Sequence, residues 1–166
     1  MTTKEGNLEG KDCRIGLVVS KFNEFITDRL TSAAIDTLKT KGVPEDHIET
    51  VRVPGAFEIP LVARHLARSK QYDAVICLGA VIRGETPHFD YISAEMSRGI
   101  AEASWETGIP IIFGVLTTNT AEQALARSGE YEKNRGADAA RTAIEMATLM
   151  KSLHNSERNP TGFLQP

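Results

Sequence analysis

The amino-acid sequence predicts an α/β fold: a single domain built as a three-layer sandwich, with a four-stranded parallel sheet flanked by helices. Short apolar runs alternate along the chain with segments of helical periodicity. Most of these runs are apolar on both faces, which is typical of parallel strands covered by helices. The length of 166 residues suits one domain with a buried core.

Four segments have the composition of strands, because they are rich in Val and Ile and are bounded by Gly, Pro or polar turns. The predicted strands are residues 14–22, 48–54, 74–82 and 109–118. Apolar residues recur at helical spacing between and after these strands. The predicted helices are residues 26–41, 56–69 and 87–107, a short one near 121–128 and a longer one near 137–153. Right-handed crossovers then place helices on both faces of the sheet.

The domain itself is predicted to comprise residues 13–154. Residues 1–12 form a polar N-terminal segment of mixed charge, which does not have the pattern of a secretory signal. Residues 155–166 contain Asn159-Pro160 and Thr161-Gly162, and these turn-forming pairs predict an irregular C-terminal extension.

Composition argues against several classes of protein. The net charge is -3, and no basic stripe of the kind found in nucleic-acid-binding proteins is present. No apolar run is long enough to span a bilayer. Cys13 and Cys77 are too far apart in the sequence to form a metal or redox motif, and Cys77 is expected to be a small buried thiol. We therefore expect a cytoplasmic protein with no nucleic-acid partner and no membrane partner.

Residues 76–91 carry the most informative local pattern. They run from an apolar strand through a Gly-containing turn into a helix, for which Thr86 is the expected N-cap and Pro87 the first residue. A helix N-terminus at the carboxyl end of a strand favours phosphate or another anion. His88, in the first helical turn, can accept and donate protons near neutral pH. An anion site and a proton shuttle on one loop indicate catalysis.

Aromatic residues are expected where this type of sheet binds its ligands, which is beyond the carboxyl ends of the strands. Phe22, Phe57 and Phe113 lie at or near three predicted strand ends, and aromatic faces suit a flat heterocycle. Core packing is the more ordinary explanation for each phenylalanine taken alone. Three of them on one rim favour a site for a ring-shaped ligand.

Other common site types fit the sequence poorly. Residues 79–86 read GAVIRGET, but Glu85 stands where the phosphate-binding loop of nucleotidases has its lysine. The first strand is not followed by a G-x-G-x-x-G fingerprint, and the early strands do not end in the acidic residues of a phospho-acceptor receiver domain. The four histidines are scattered, so no metal site is predicted.

Four motifs together resemble the 6,7-dimethyl-8-ribityllumazine synthase family. They are VPGAFEIP at 53–60, LGAVIRGETPHFDY at 78–91, FGVLT at 113–117 and NRGA at 134–137. The resemblance extends from residue 14 to about residue 149, and the motifs occur in the family's order. It implies a flavodoxin-like topology and a transferase that acts without a cofactor or metal.

The resemblance also implies the reaction. Members of the family condense 5-amino-6-(D-ribitylamino)uracil with 3,4-dihydroxy-2-butanone 4-phosphate and release phosphate and water, which is the penultimate step of riboflavin biosynthesis. Since the amine nucleophile belongs to a substrate, the protein has to align two substrates and move protons.

Residue roles follow from the same resemblance, position by position. Phe22 is expected to stack on the pyrimidine, and His88 is expected to shuttle protons. Phe113 and Arg127 are expected to come from a neighbouring subunit, to close the ring pocket and to bind phosphate. Arg135 replaces the family's frequent lysine and is expected to contribute positive charge. The other expected contacts are Ala56, Phe57 and Glu58 with the ribityl chain, the backbone of Ala80, Val81 and Ile82 with the uracil, and Glu85 and Thr86 with phosphate.

Oligomerisation is implied as well, because a subunit lacking its neighbour's Phe113 and Arg127 would hold an incomplete pocket. The family forms pentamers, and some members assemble twelve of them into an icosahedral shell. Residues 127–136 have the length of the same connection in shell-forming members. Assembly as a pentamer or a shell stays open, as does a partnership with riboflavin synthase. Residues 1–12 are expected to pair with a neighbouring subunit's sheet edge.

A non-catalytic protein of the same fold, binding flavin or lumazine or forming a shell, is the alternative function. Ring stacking alone requires neither His88 nor Arg127, so this pair favours catalysis. A receiver-like signalling domain is a third hypothesis, and the missing acidic cluster speaks against it.

Overall fold

The central sheet has the architecture expected from the sequence. In this computed structural model, which describes residues 1–130 and 133–158, the strands are β1 (Ile15–Ser20), β2 (Ile48–Val53), β3 (Ala74–Ile82) and β4 (Ile111–Thr118). All neighbouring strands are parallel, in the order β2-β1-β3-β4. The prediction of an α/β three-layer fold with flavodoxin-like topology is confirmed.

Five helices flank the sheet in the described part of the chain. They are α1 (Glu24–Thr40), α2 (Ile59–Arg68), α3 (His88–Thr107), α4 (Ala121–Arg127) and α5 (Arg135–Arg158). The helix predicted over 56–69 is divided, because Ala56–Glu58 form a 3-10 turn and α2 begins after it. A further 3-10 turn at Glu45–His47, which the sequence did not indicate, leads into β2.

The last helix is longer than predicted. It continues to Arg158, so residues 155–158 are helical and do not belong to an irregular extension. No Gly or Pro interrupts this polar stretch before Pro160, and a proline disfavours helical backbone at the residue before it. Residues 159–166 of the predicted extension lie outside the described residues.

The N-terminal segment lies along α5 of its own chain. The backbone N–H of Asn7 donates to Thr148 Oγ1 at 2.9 Å, and Lys151 Nζ donates to the carbonyl oxygen of Asp12 at 2.6 Å. Lys4 Nζ also donates to Ser156 Oγ at 2.6 Å. These contacts hold residues 4–12 against the subunit itself, and the pairing of residues 1–12 with a neighbouring sheet stays a prediction.

The core is divided into two layers by the sheet, because successive strand residues point to opposite faces. Leu17, Ile76 and Leu78 pack in one layer with α1 and α5. Val18, Val75 and Cys77 pack in the other layer with α2 and α3. Both layers bury full-length aliphatic side chains, so β1 and β3 are covered on both sides and are fixed relative to the helices.

The strand order determines where a ligand-binding crevice is expected at the edge of the sheet. From β1, the chain runs first to β2 on one side and then to β3 on the other. A crevice forms outside the carboxyl ends of the two strands at such a reversal of direction. The segments after β1 and β3, which contain Phe22 and residues 80–88, therefore lie at the expected binding position.

Candidate active site

The chain after β1 presents Phe22 to solvent. The backbone N–H of Lys21 donates to the carbonyl of Val53 at 2.8 Å, and that of Phe22 donates to the carbonyl of Pro54 at 3.1 Å. These bonds extend the β1–β2 pairing beyond the strands and fix the backbone of Phe22. The residue is 71% exposed, so its ring offers an apolar face at the crevice.

Asn23, which sequence analysis did not assign to the site, links the two strands that border the crevice. Its backbone is left-handed, with φ 59°, a conformation that Asn tolerates better than most residues. Its side-chain Nδ2 donates to the carbonyl oxygen of Ala80 at 2.8 Å. Asn23 therefore ties the start of α1 to the end of β3, and the position of Phe22 depends on this link.

The end of β3 has open backbone groups on the side facing β1. The β1–β3 register ends at Val19↔Leu78, whereas β3 pairs with β4 as far as Ile82↔Thr118. Backbone groups alternate between the two neighbouring strands, and Arg83 N–H points to β4, where it donates to Thr118 at 2.9 Å. The N–H and C=O of Ile82 thus face the crevice, whereas those of Val81 face β4.

The turn after β2 brings three predicted ribityl contacts to the same edge of the sheet. Ala56 is buried, whereas Phe57 is 56% exposed and Glu58 is also exposed. All three belong to the 3-10 turn that precedes α2. Phe22 and Phe57 therefore present two aromatic rings at the ends of adjacent strands, as the sequence predicted.

The β3–α3 loop contains Glu85 and Thr86, and His88 follows it at the start of α3; all three residues are exposed. The predicted cap is wrong by one residue: Pro87 occupies the N-cap, no side chain caps the helix, and His88 is its first residue. The first backbone N–H groups of a helix have no carbonyl one turn earlier to bind. In α3 the N–H groups of Asp90 and Tyr91 donate to the carbonyl of Pro87, at 3.0 and 3.5 Å. The N–H groups of His88 and Phe89 are therefore the ones that face an anion beside the imidazole.

Arg83 links the residues on either side of this loop, and its role was not identified from the sequence. Its Nη1 and Nη2 donate to both carboxylate oxygens of Asp90, at 3.3 and 3.0 Å. Its Nε donates to Asn119 Oδ1 at 3.0 Å, and its guanidinium carbon lies 4.3 Å from the centroid of the Phe89 ring. One side chain thus joins the end of β4 to the first turn of α3.

Phe113 does not share the rim with Phe22 and Phe57, contrary to the sequence-based expectation. It is opposite Cys77 in the β3–β4 register, and β4 continues to Thr118. At about 3.3 Å per residue, this places it roughly 16 Å from the carboxyl end of the strand. The predicted strand over residues 109–118 already has Phe113 near its middle, so the error lies in counting this residue as part of the strand end.

Phe113 lines a second surface, on the free edge of β4. It borders an open groove of about 620 Å³ together with Arg127, Arg135 and Asp138. Arg127 Nη1 donates to the carbonyl of Gln123 in its own helix at 3.0 Å, and Arg135 pairs with Asp138 at 3.1 Å. The structure therefore groups the predicted neighbour-derived residues with Arg135 in this groove.

The NRGA motif fixes the second surface to the core. Asn134 is buried, its Nδ2 donates to the carbonyl of Gly129 at 3.2 Å, and its Oδ1 accepts from Gly136 N–H at 2.8 Å. A Cβ on Gly136 would overlap the carbonyl oxygen of Leu30 in α1. These contacts explain the residue types around Arg135. Residues 131 and 132 of the preceding connection lie outside the described residues.

Metal-ligating clusters and membrane-spanning helices are both absent from the described residues. Within residues 1–130 and 133–158, no three His, Cys, Asp or Glu side chains form a group that could hold a metal ion. Over the same ranges, none of the helices combines the length and the apolar character needed to cross a membrane.

A parallel α/β sheet with an open crevice at its switch point is an architecture that binds small molecules. Residues 12–151 match the family model for 6,7-dimethyl-8-ribityllumazine synthase. The chain belongs to this family, which confirms the resemblance found in the sequence. It is therefore an enzyme of the transferase class, and its family implies lumazine synthase activity in riboflavin biosynthesis, small-molecule substrates and oligomerisation.

Proposed function

We propose that the protein condenses 5-amino-6-(D-ribitylamino)uracil with 3,4-dihydroxy-2-butanone 4-phosphate to give 6,7-dimethyl-8-ribityllumazine, phosphate and water. Family membership supports the reaction. The single observation that carries the mechanism is the distribution of site residues over two surfaces of one chain. Phe22, Ile82 and His88 lie at or just after the carboxyl ends of β1 and β3, whereas Phe113 and Arg127 line the β4 groove.

The pyrimidine substrate fits the crevice between β1 and β3. The exposed ring of Phe22 supplies a stacking face, and the open N–H and C=O of Ile82 can pair with the polar edge of the uracil. The carbonyl of Ala80 already accepts from Asn23, which leaves its N–H as the more accessible group. The ribityl hydroxyls can reach the Ala56–Glu58 turn, where the Glu58 carboxylate accepts hydrogen bonds.

The phosphorylated substrate fits the tip of α3. Backbone N–H groups of Thr86 and of the first helical turn can hold its phosphate, assisted by the helix dipole. The carboxylate of Glu85 is exposed and can turn toward solvent, so that Glu85 serves phosphate through its backbone. His88 accepts and returns the protons of imine formation, phosphate loss and ring closure.

A second subunit completes the site in this proposal. Its Phe113 covers the bound ring, its Arg127 holds phosphate with a permanently charged fork, and its Arg135 adds positive charge. A head-to-tail contact that closes on itself generates a ring, and a pentamer is the ring that the family favours. An icosahedral shell and a partnership with riboflavin synthase are the open alternatives to a free pentamer.

The cellular setting in this proposal is the cytoplasm. Cys13 and Cys77 are free and buried, and burial raises the pKa of both thiols. Buried, protonated thiols without a disulfide are typical of proteins in a reducing compartment.

The direct test is to incubate the purified protein with both substrates and follow lumazine fluorescence and phosphate release. We expect product from the unsubstituted protein and a loss of about a hundredfold or more in kcat for His88→Ala. His65→Ala is the matched control, since His65 is exposed on α2, away from the crevice, and it should retain activity. Ring binding without product would favour the non-catalytic alternative, and full turnover by His88→Ala would remove His88 from the mechanism.

A further inference from the structure

We propose that Arg83 is a positioning residue, which orients His88 and the anion-binding N–H groups by fixing the β3–α3 loop. This inference rests on the proposed function and adds a residue that the sequence motifs did not assign. Arg83 lies at the start of the loop, directly after β3. Its side chain reaches past the loop to Asp90 and Phe89, in the first turn of α3.

The loop between these ends is exposed. Residues 84–88 are all exposed, and a Cβ on Gly84 would meet no atom within 4 Å. The N-terminus of α3 has no side-chain cap. The loop therefore depends on its two ends for its position, and Arg83 contributes at both of them.

Both ends are fixed by directional contacts of Arg83. The backbone N–H bonds to Thr118 at 2.9 Å, and Nε bonds to Asn119 at 3.0 Å, so the start of the loop is tied to the end of β4. The guanidinium also binds Asp90 through two nitrogens. A planar fork that engages both carboxylate oxygens restricts orientation as well as distance. Asp90 is two residues beyond His88 in the same helical turn, so the imidazole is held indirectly.

Charge gives Arg83 a second effect. Asp90 is the acidic residue in the first turn of α3, and its carboxylate would repel a phosphate bound at the same helix end. The guanidinium of Arg83 compensates this charge while leaving the backbone N–H groups available. Loss of Arg83 should therefore weaken anion binding and misplace His88 at the same time.

The positioning role of Arg83 can be distinguished from that of an ion pair that only stabilises the fold. The side chains of Arg83 and Asp90 are 42% and 58% exposed, and exposed ion pairs contribute little to global stability. Substitution of Arg83 should therefore change kinetics strongly and the unfolding temperature weakly. Arg98 provides a matched control, because it also forms exposed ion pairs on α3, with Glu95 and Glu102.

The experiment compares Arg83→Gln, Arg83→Lys and Arg98→Gln in steady-state kinetics and thermal unfolding. We expect Arg83→Gln to lower kcat by about tenfold to a hundredfold, to raise KM for the phosphorylated substrate and to unfold within a few degrees of the unsubstituted protein. Arg83→Lys keeps the charge but loses the fork, so it should restore KM and leave kcat low. Kinetics of Arg83→Gln equal to those of Arg98→Gln would overturn the proposal, as would an activity loss that merely follows a lower unfolding temperature.

Two further measurements separate this inference from the proposed reaction. Asp90→Asn combined with Arg83→Gln should reduce kcat no further than the more severe single variant, whereas independent, multiplying effects would contradict the coupling. Calorimetric titration with inorganic phosphate needs no turnover, and Arg83→Gln should weaken that binding several-fold relative to Arg98→Gln. If the unsubstituted protein forms no lumazine, the proposed reaction fails, and unchanged phosphate binding in Arg83→Gln would then reject the role of Arg83 as well.

Discussion

His88 and Arg83 show what single residues contribute to the site and how far the sequence reveals them. His88 was identified because a titratable side chain follows a strand, a turn and a proline in a recognisable pattern. Arg83 belongs to the same motif, but its role depends on contacts with Asp90 and Asn119, the second of which is 36 residues away in sequence. A local sequence pattern can indicate where a helix begins. The hydrogen-bond partners that a side chain finds on another strand can be identified only in the folded chain.

Tyr72 is a residue that is expected to affect the stability of the fold. Its hydroxyl donates to a carboxylate oxygen of Glu49, and Tyr72 is buried just before β3, at the amino end of the sheet and opposite the crevice. Burial, followed by the hydrogen bond to Glu49, raises the pKa of Tyr72 to about 12. This stabilisation is present below about pH 10, the ordinary pKa of tyrosine.

The expected result is a stability difference that depends on pH. Between about pH 10 and 12 the unfolded chain loses the Tyr72 proton while the folded chain retains it, so the free energy of unfolding falls as pH rises. Tyr72→Phe should lack this part of the fall and should keep its turnover at neutral pH. Urea unfolding at pH 8, 10 and 11.5 measures the difference, and parallel curves for both proteins would contradict the pKa assignment.

At the scale of secondary-structure elements, the sequence determines the order and type of the elements better than their ends. Four Val- and Ile-rich runs became four parallel strands, because buried parallel strands require apolar residues on both faces. Helix ends were less predictable. The polar residues 155–158 continue α5, and a rigid proline at 87 became the N-cap in place of Thr86.

The contact between α1 and α5 gives a test at this scale. A Cβ at Gly136 would overlap the carbonyl oxygen of Leu30, and backbone overlap of this kind cannot be relieved by a side-chain rotation. Gly136→Ala should therefore destabilise the protein by about 1–3 kcal/mol, as overpacking commonly does. Chemical denaturation provides the measurement. Gly84→Ala, where a Cβ has open space, is the control, and equal stability of the two variants would show that α1 and α5 can separate without cost.

At the scale of the whole molecule, the chain carries the two halves of its proposed site on different surfaces. His88 begins α3 beside the crevice, whereas Arg127 and Phe113 line the groove at the edge of β4. The sequence motifs supplied all three residues, but the expectation that Phe113 shares a rim with Phe22 was wrong, because Phe113 lies opposite Cys77, in the middle of β3. Under the proposed function, a second subunit brings them into one site.

Mixing two inactive variants tests this requirement most directly. His88→Ala and Arg127→Ala chains are each expected to be inactive alone, and co-expression in equal amounts should restore lumazine formation. With random placement in a ring, about a quarter of the sites would pair an intact imidazole with an intact guanidinium from the adjacent subunit. A chain with both substitutions, mixed equally with the unsubstituted chain, is the control and should also leave about a quarter of the sites active. Mixed rings of the two single variants that stay as inactive as their parents, together with half activity in the control, would contradict a site shared between subunits.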